Sequence, residues 1–241
     1  MIKIRGEEFT RENFAKKIDI SYGIWDATDK DIVNLVEKAK KYGLHGAATD
    51  ACFIDLLVRE CKGTGVLPIS GINMPKCTDS VTALLYMAGE YIDRGIKGFD
   101  TPIPMNLIKG HKWGEIEDYL FKLQAICEGK ALTNMIPEVD SISAEELAMC
   151  ARLISKAGCD SVKCSTGSTT RGPLSQDLKI IKENISGKTG LMATGPGNFW
   201  TIEIVMAFFL YGATVLSSGK ADLILDSLEE YERVHRDMEF A

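Results

Sequence analysis

The chain has 241 residues, of which 45% are hydrophobic and 26% charged, with a formal net charge of −6. This composition predicts one large globular domain with a full apolar core, and the acidic balance argues against a nucleic-acid partner. The longest apolar stretch, residues 204–210, is too short to cross a membrane. The charged segment after Met1 predicts no signal peptide, and the 7 cysteines without a Cys-x-x-Cys pair predict reduced thiols in a cytoplasmic protein.

Strand-like and helical segments alternate along the chain. Apolar positions at helical spacing, as at residues 29–41 before Gly43, and a capping box of Ser143 with Glu146 are typical of helices. The predicted strands are 18–25, 46–50, 66–71, 96–100, 131–138, the segment around Lys163, 190–194 and 214–218. The predicted helices are 8–18, 29–41, 53–61, 78–94, 113–127, 143–157, 174–184, 199–211 and 221–233.

Eight consecutive strand–helix units predict parallel strands, because each helix carries the chain back to the start of the next strand. Eight units also favour closure into a (β/α)8 barrel, or TIM barrel, for which the chain length is suitable. The sequence therefore predicts a single α/β domain over residues 1–241, a (β/α)8 barrel with a short N-terminal helix. An open doubly wound sheet is the alternative arrangement.

In such barrels the chemistry lies at the carboxyl ends of the strands. Polar or otherwise notable residues at those ends are Asp19, Asp50, Asp100, Glu138, Lys163 and Met192, with the loops 167–168, 194–198 and 217–220. A single acid at a strand end is more often a loop cap or an ion-pair partner, but several at one face of a barrel favour a functional site. The 3 histidines are scattered without metal-ligand spacing, so no metal site is predicted.

Residues 158–167, Gly-Cys-Asp-Ser-Val-Lys-Cys-Ser-Thr-Gly, are typical of a short strand that leads into a loop of small polar residues. A strand this short in a helix-rich chain is expected to be buried on both faces, which would place Lys163 inside the protein. Burial disfavours the ammonium form of a lysine, and the neutral amine can attack a carbonyl to form a Schiff base. The alternative is a lysine at a strand end that reaches solvent.

Val-Lys-Cys-Ser-Thr-Gly at residues 162–167, preceded by Ala-Gly-Cys-Asp at 157–160, resembles the signature of the deoxyribose-phosphate aldolase family. The similarity extends from about residue 19 to residue 218. It implies a (β/α)8 barrel and a class I aldolase in which Lys163 forms an imine with the substrate and no metal or organic cofactor takes part. By the same resemblance Asp100, within residues 98–104, would move protons at the carbinolamine. Glu138 matches a family glutamate near the end of strand five, and Asp19 matches an aspartate on strand one.

The chain departs from the family at Met192, which occupies the position of a second lysine on strand seven. In the family, the positive charge of that lysine helps the nucleophilic lysine to lose its proton. A thioether cannot do so, and here desolvation, or a cation from Lys220 or Arg171, would have to replace it.

The glycine-rich loops that bind phosphate in the family are matched only in part. Gly195-Pro196-Gly197-Asn198 replaces the middle loop, and Pro196 has no amide hydrogen to offer an anion. Some capacity for an anion is still expected. The residues predicted to bind the substrate or its phosphate are Asp19, Gly167, Gly195, Gly197, Ser217, Ser218, Gly219 and Lys220.

These features together predict a Schiff-base aldolase that makes or breaks a carbon–carbon bond in a small sugar phosphate or a related aldehyde or keto compound. Met192 and the altered loop indicate that deoxyribose 5-phosphate is not the preferred substrate. Two alternatives stay open: another Schiff-base lyase, transaldolase or isomerase, and a barrel that binds a small metabolite without catalysis. The expected partners are a small-molecule substrate and further copies of the chain in a homo-oligomer, with no nucleic acid and no membrane.

Overall fold

The chain begins with a small sheet that packs beside the main fold. A computed structural model describes residues 2–197 and 199–235, and the backbone of residues 239–240. β1 (Ile2–Ile4) pairs antiparallel with β2 (Glu7–Phe9), and α1 (Arg11–Ala15) follows. The helix predicted over residues 8–18 is thus shorter than expected. Phe9 belongs to β2 instead, because its ring packs on Phe14 and Phe209 at centroid distances of 5.5 and 5.2 Å.

Strands and helices then alternate. The strands are β3 (Ile18–Tyr22), β4 (Gly46–Thr49), β5 (Leu67–Gly71), β6 (Gly98–Pro102), β7 (Leu132–Ile136), β8 (Ser161–Lys163), β9 (Gly190–Thr194) and β10 (Val215–Ser218). The helices are α2 (Asp29–Tyr42), α3 (Ile54–Cys61), α4 (Val81–Asp93), α5 (Met105–Lys109), α6 (Trp113–Cys127), α7 (Ala144–Lys156), α8 (Ser175–Asn184), α9 (Ile202–Leu210) and α10 (Ala221–Val234). A 3-10 turn, Ala51–Phe53, precedes α3, and β11 (Glu239–Phe240) pairs parallel with β1.

β3 to β10 form a closed barrel of parallel strands, in which β10 pairs with β3. The predicted (β/α)8 barrel is therefore confirmed, and the open sheet is excluded. The differences from the sequence prediction lie at strand ends: β6 continues through Pro102, β7 ends before Glu138, and α5 occupies a stretch for which no helix was predicted. Within the described ranges, no helix combines the length and apolar character needed to cross a membrane.

The helices pack on the barrel through one apolar face each, as α2 illustrates. The Asp31 carboxylate accepts a hydrogen bond from the backbone N–H of Thr28 (2.9 Å) at the start of this helix. Ile32 and Leu35 are buried against the barrel, and full burial of such a side chain stabilises the fold by roughly 1.5–3 kcal/mol. Gly43 ends the helix in the left-handed conformation (φ 65°), which favours glycine.

Alternate residues of each strand face the inside of the barrel, and several of them are polar. On β8, Val162 lies in the apolar layer between barrel and helices, whereas Ser161 and Lys163 face inward. Strand register places Asp100 beside Asn134 and Asn134 beside Ser161. A row of polar side chains therefore crosses three neighbouring strands inside the barrel.

Asp19 and His45 form an ion pair at the start of β3 and β4. The Nδ1–H of His45 donates to Asp19 Oδ1 over 2.7 Å, and Asp19 is 1% exposed. Gly46 makes room for this carboxylate, since a Cβ at that position would lie 2.6 Å from Asp19 Oδ1. The hydrogen bond to Asp19, together with its negative charge, raises the pKa of His45 above its usual value, although burial and Lys16 act in the opposite direction.

This pair should make stability depend on pH. A histidine whose pKa is raised by folding stabilises the native state fully below its unfolded pKa of about 6.5, and this contribution is lost as the pH rises through the folded value. We expect Asp19→Asn to lower the free energy of unfolding more at about pH 5.5 than at about pH 8.5. Urea denaturation at both pH values measures this. His45→Phe should remove the pH dependence of the difference, and an equal loss at both pH values would contradict the prediction.

Candidate active site

Lys163 ends β8, and its side chain lies inside the barrel with 4% of its surface exposed. Its ammonium forms an ion pair with the Asp100 carboxylate and lies 3.4 Å from the Ser217 hydroxyl. The inward direction follows from strand alternation, because the preceding Val162 is packed in the apolar layer. The alternative of a lysine that reaches solvent is therefore excluded.

Asp100 is held by the polar row inside the barrel. Its Oδ1 accepts a hydrogen bond from Asn134 Nδ2 (3.1 Å), and Asn134 Oδ1 accepts one from the Ser161 hydroxyl (2.7 Å). These bonds orient the carboxylate so that its other oxygen, Oδ2, meets the amine of Lys163. The pair is almost fully buried, and removal of one member of such a pair typically costs about 3–5 kcal/mol, because the other charge is left unpaired.

Met192 is the neighbour of Lys163 on the adjacent strand. The two residues are in register between β8 and β9, so their side chains point to the same face of the sheet. Met192 is 1% exposed. An uncharged thioether therefore occupies the position beside Lys163 at which the family resemblance placed a second lysine.

A cavity of about 400 Å³ is lined by Lys163, by Asp100 and by the loops that follow the strands. Six of the eight residues predicted to bind substrate or phosphate line it: Gly167, Gly195, Gly197, Ser217, Gly219 and Lys220. The opposite wall includes Asp50, a strand-end candidate from the sequence, and the following residues, which were not predicted: Ser21, Tyr22, Gly23, Ile24, Met74 and Pro75. They lie at the end of β3 or in the loops after β3 and β5, so their position was a usable signal, but most of their side chains are small or apolar and carry no distinctive chemistry.

In the loops on the Lys163 side of the cavity, some backbone amides already donate hydrogen bonds to side chains of the same loop. The amide of Gly167 donates to the Ser165 hydroxyl (3.0 Å), and the amide of Ser168 donates to the Thr166 hydroxyl (3.2 Å). Ser218 does not line the cavity, and its hydroxyl accepts a hydrogen bond from the Lys220 amide (3.1 Å). An anion at these loops therefore has fewer free amides than the predicted cradle would offer.

Two features nevertheless leave positive potential at this side. α10 begins beside the cavity, and among the described residues no side chain caps its first amide groups, so its N-terminal end keeps a partial positive charge. Lys220 lines the cavity as well, whereas Arg171 does not. Arg171 is paired with Asp177 (2.6 Å) and donates to the Val139 carbonyl (2.9 Å). Of the two cations proposed to replace the second lysine, Lys220 alone is placed to act in the cavity.

Glu138 and Asp19 lie outside the cavity, although they were predicted to act in catalysis and in substrate binding. Glu138 Oε2 accepts a hydrogen bond from the Thr166 amide (3.0 Å), with the backbone of Glu138 in the left-handed region (φ 62°). It thus positions the loop after Lys163, and neither it nor Asp19 lines the cavity. The placement of Asp19 on His45, at the start of β3, does not support a ligand-binding role. Asn198 lies outside the described residues.

Other reactive groups near the site are unsuited to catalysis. Cys164 follows Lys163 directly, but burial raises the pKa of its thiol well above the usual range, so it stays protonated at neutral pH. Across the described part of the chain, no cluster of three or more histidine, cysteine or acidic side chains could hold a metal ion. Lys163 and Asp100 form the buried reactive pair of this cavity, which Asp50 and Lys220 also line.

Both the sequence and the fold of the chain are similar to those of known aldolases. No family model matches the chain. It is 27% identical to the deoxyribose-phosphate aldolase of Clostridium novyi over 89% of this chain and 96% of that one. It is 29% identical to the deoxyribose-phosphate aldolase of Mesomycoplasma hyopneumoniae over 90% and 97%. A solved structure of the tetrameric deoxyribose phosphate aldolase from Aeropyrum pernix superimposes with a TM-score of 0.81 at 21% identity, covering 92% and 93%.

The chain is similar to the deoxyribose-phosphate aldolases over most of its length. The resemblance seen at residues 157–167 is thereby confirmed, and so is the prediction of an aldolase-like enzyme, a carbon–carbon lyase. The identities below 30% mean that individual roles depend on the local geometry described above.

Proposed function

We propose that the protein is a class I aldolase in which Lys163 forms an imine with a small aldehyde, keto compound or sugar phosphate. The observation that carries the proposal is the amine of Lys163, buried against Asp100 at a cavity in the carboxyl end of the barrel. A buried lysine with a proton acceptor beside it combines the desolvation and the base that a Schiff-base nucleophile needs.

The proposed reaction begins with transfer of a proton from Lys163 Nζ to Asp100 Oδ2. The neutral amine attacks the carbonyl carbon, the proton that the attacking nitrogen loses passes to the carbonyl oxygen, and a carbinolamine forms. Asp100 then returns its proton to the carbinolamine hydroxyl, which leaves as water while the C=N bond forms. Asp100, again a carboxylate, takes the proton of the β-hydroxyl, the carbon–carbon bond breaks with release of the first carbonyl product, and the iminium accepts the electron pair of that bond to become an enamine. Protonation of the resulting enamine and addition of water release the second carbonyl product and restore the amine.

Borohydride trapping tests this proposal directly. We expect reduction in the presence of a panel of aldehydes, keto acids and sugar phosphates to give a covalent adduct, which peptide mass spectrometry should locate at Lys163. The buried Met192 beside Lys163 favours the second candidate, a barrel that binds a metabolite without catalysis. Absence of an adduct with every compound would support that candidate and reject the aldolase.

We also propose that the substrate carries an anionic group, bound by the Lys220 ammonium and the first amides of α10. The uncapped start of this helix beside the cavity supports the assignment. Lys220→Ala should weaken binding of phosphorylated compounds about tenfold, the size expected for loss of one charge-assisted hydrogen bond, with little effect on unphosphorylated ones. Steady-state KM values for a matched pair of substrates measure this. Lys188→Ala is the control, since Lys188 pairs with Asp160 (3.3 Å) away from the cavity, and an equal effect of both variants would contradict the assignment.

The proposal extends to the compartment and the assembly in which the protein would act. The chain would act on its small-molecule substrate as a single barrel domain in the cytoplasm, where the described cysteines, all free, would stay reduced. Assembly into a homo-oligomer is proposed with it, because the similar aldolase of Aeropyrum pernix is tetrameric.

A further inference from the structure

Asp50 lines the same cavity as Lys163, but no role in the fold accounts for its carboxylate. It follows β4 directly and is the residue before the 3-10 turn Ala51–Phe53. An aspartate at such a position usually accepts a hydrogen bond from the amides of the first turn, as the hydroxyls of Thr10 and Ser143 do here at α1 and α7. The side chain of Asp50 makes no such bond.

The carboxylate instead faces the cavity wall formed by Gly23. A Cβ at Gly23 would lie 3.6 Å from both carboxylate oxygens, so the absence of a side chain there leaves Asp50 open to the cavity. Within the part of the chain that the structure describes, the carboxylate has neither a hydrogen-bond donor nor an ion-pair partner. Partial burial raises the pKa of Asp50, as expected for a carboxylate that has lost water without gaining a partner.

Asp50 also stands across the barrel from Lys163. The closed strand order places β4 four strands away from β8 in both directions around the ring. Lys220, after β10, lies between them on one side. A ligand joined to Lys163 and filling the cavity would therefore meet Lys220 at one wall and Asp50 at the wall opposite its point of attachment.

We propose that Asp50 is a specificity-determining residue that accepts a hydrogen bond from a hydroxyl group of the bound substrate. An anionic group at this wall would be repelled, and an apolar group would leave the carboxylate without water or a donor, which is costly. A hydroxyl group satisfies it at no such cost. The inference rests on the proposed aldolase function, since every substrate of aldol cleavage carries a hydroxyl group.

The test uses ligands that cannot form an imine, so that its outcome does not depend on the chemistry of Lys163. Binding of glycerol 3-phosphate and propyl phosphate, which differ in their hydroxyl groups and have no carbonyl, is measured by calorimetry. We expect the wild type to prefer glycerol 3-phosphate by about tenfold or more, the effect of one hydrogen bond to a charged group. Asp50→Leu should abolish the preference, and Asp50→Asn, which keeps an acceptor oxygen, should retain part of it.

Two controls separate recognition from other effects. Asp26→Leu removes an exposed carboxylate that does not line the cavity, and should leave the preference unchanged. Asp50→Leu should unfold at a urea concentration no lower than that of the wild type. Borohydride should still trap a Schiff base at Lys163 in this variant. A failure of the aldolase proposal can therefore be distinguished from a failure of this inference. An unchanged preference in Asp50→Leu, no preference or no binding in the wild type, or tighter binding of 3-aminopropyl phosphate than of glycerol 3-phosphate would overturn the inference.

Discussion

Replacement of Lys163 with alanine is expected to abolish the borohydride adduct and to lower turnover by more than about a thousandfold. The reason is that the substitution removes the only atom that can form the imine in the proposed reaction, and with it the gain from holding nucleophile and carbonyl together. Intact-mass analysis after borohydride treatment and steady-state kinetics measure the two effects. An adduct that survives in Lys163→Ala would show that another amine is the nucleophile.

Loss of activity in this variant must be separated from loss of the fold. Lys163→Ala leaves the Asp100 carboxylate buried without its ion-pair partner, which should lower the free energy of unfolding by about 3–5 kcal/mol. The matched control is Lys163→Met combined with Asp100→Asn, which removes both charges and keeps the volume of the side chains. We expect this double variant to recover most of the stability but none of the adduct. Recovery of the adduct would contradict the assignment of Lys163.

The second large effect is expected from Met192→Lys, tested with deoxyribose 5-phosphate. The new ammonium would lie beside Lys163 in a nearly dry site, because the two positions are in register and Met192 is 1% exposed. Repulsion between two ammonium groups at a few ångströms favours the neutral form of one of them, whereas Asp100 in the wild type favours the charged form of Lys163. Each tenfold gain in neutral amine corresponds to about 1.4 kcal/mol, and we expect at least one such gain at pH 7.

A pH–rate profile for cleavage measures this effect. We expect slow wild-type turnover at pH 7 and faster turnover at that pH in Met192→Lys. Met192→Leu, which keeps the volume without a charge, is the control and should resemble the wild type. Fast wild-type cleavage at pH 7, with no gain in Met192→Lys, would show that the second lysine is not needed in this chain.

The sequence by itself determined the order of the secondary structure elements and the residues at the strand ends. Eight alternating units indicate parallel strands and favour a barrel over an open sheet, and the structure shows that the barrel is closed. The sequence left the direction of Lys163 open between the barrel interior and solvent, and the structure decided it, because Val162 packs in the apolar layer and alternation turns the next residue inward. Local information was insufficient for β2, since it forms by pairing with β1 and its Phe9 packs on Phe209, far along the chain.

Only the tertiary structure decided which strand ends contribute to the cavity and which serve the fold. Asp19, Glu138 and Asp50 are all acids near barrel strands, and nothing local distinguishes them. The closed barrel brings His45 to Asp19 and the Thr166 amide to Glu138, and it leaves Asp50 facing the cavity without a partner. The physical reason is that a carboxylate takes the nearest hydrogen-bond donor, and the positions of donors from other strands are set by closure and register rather than by sequence neighbours.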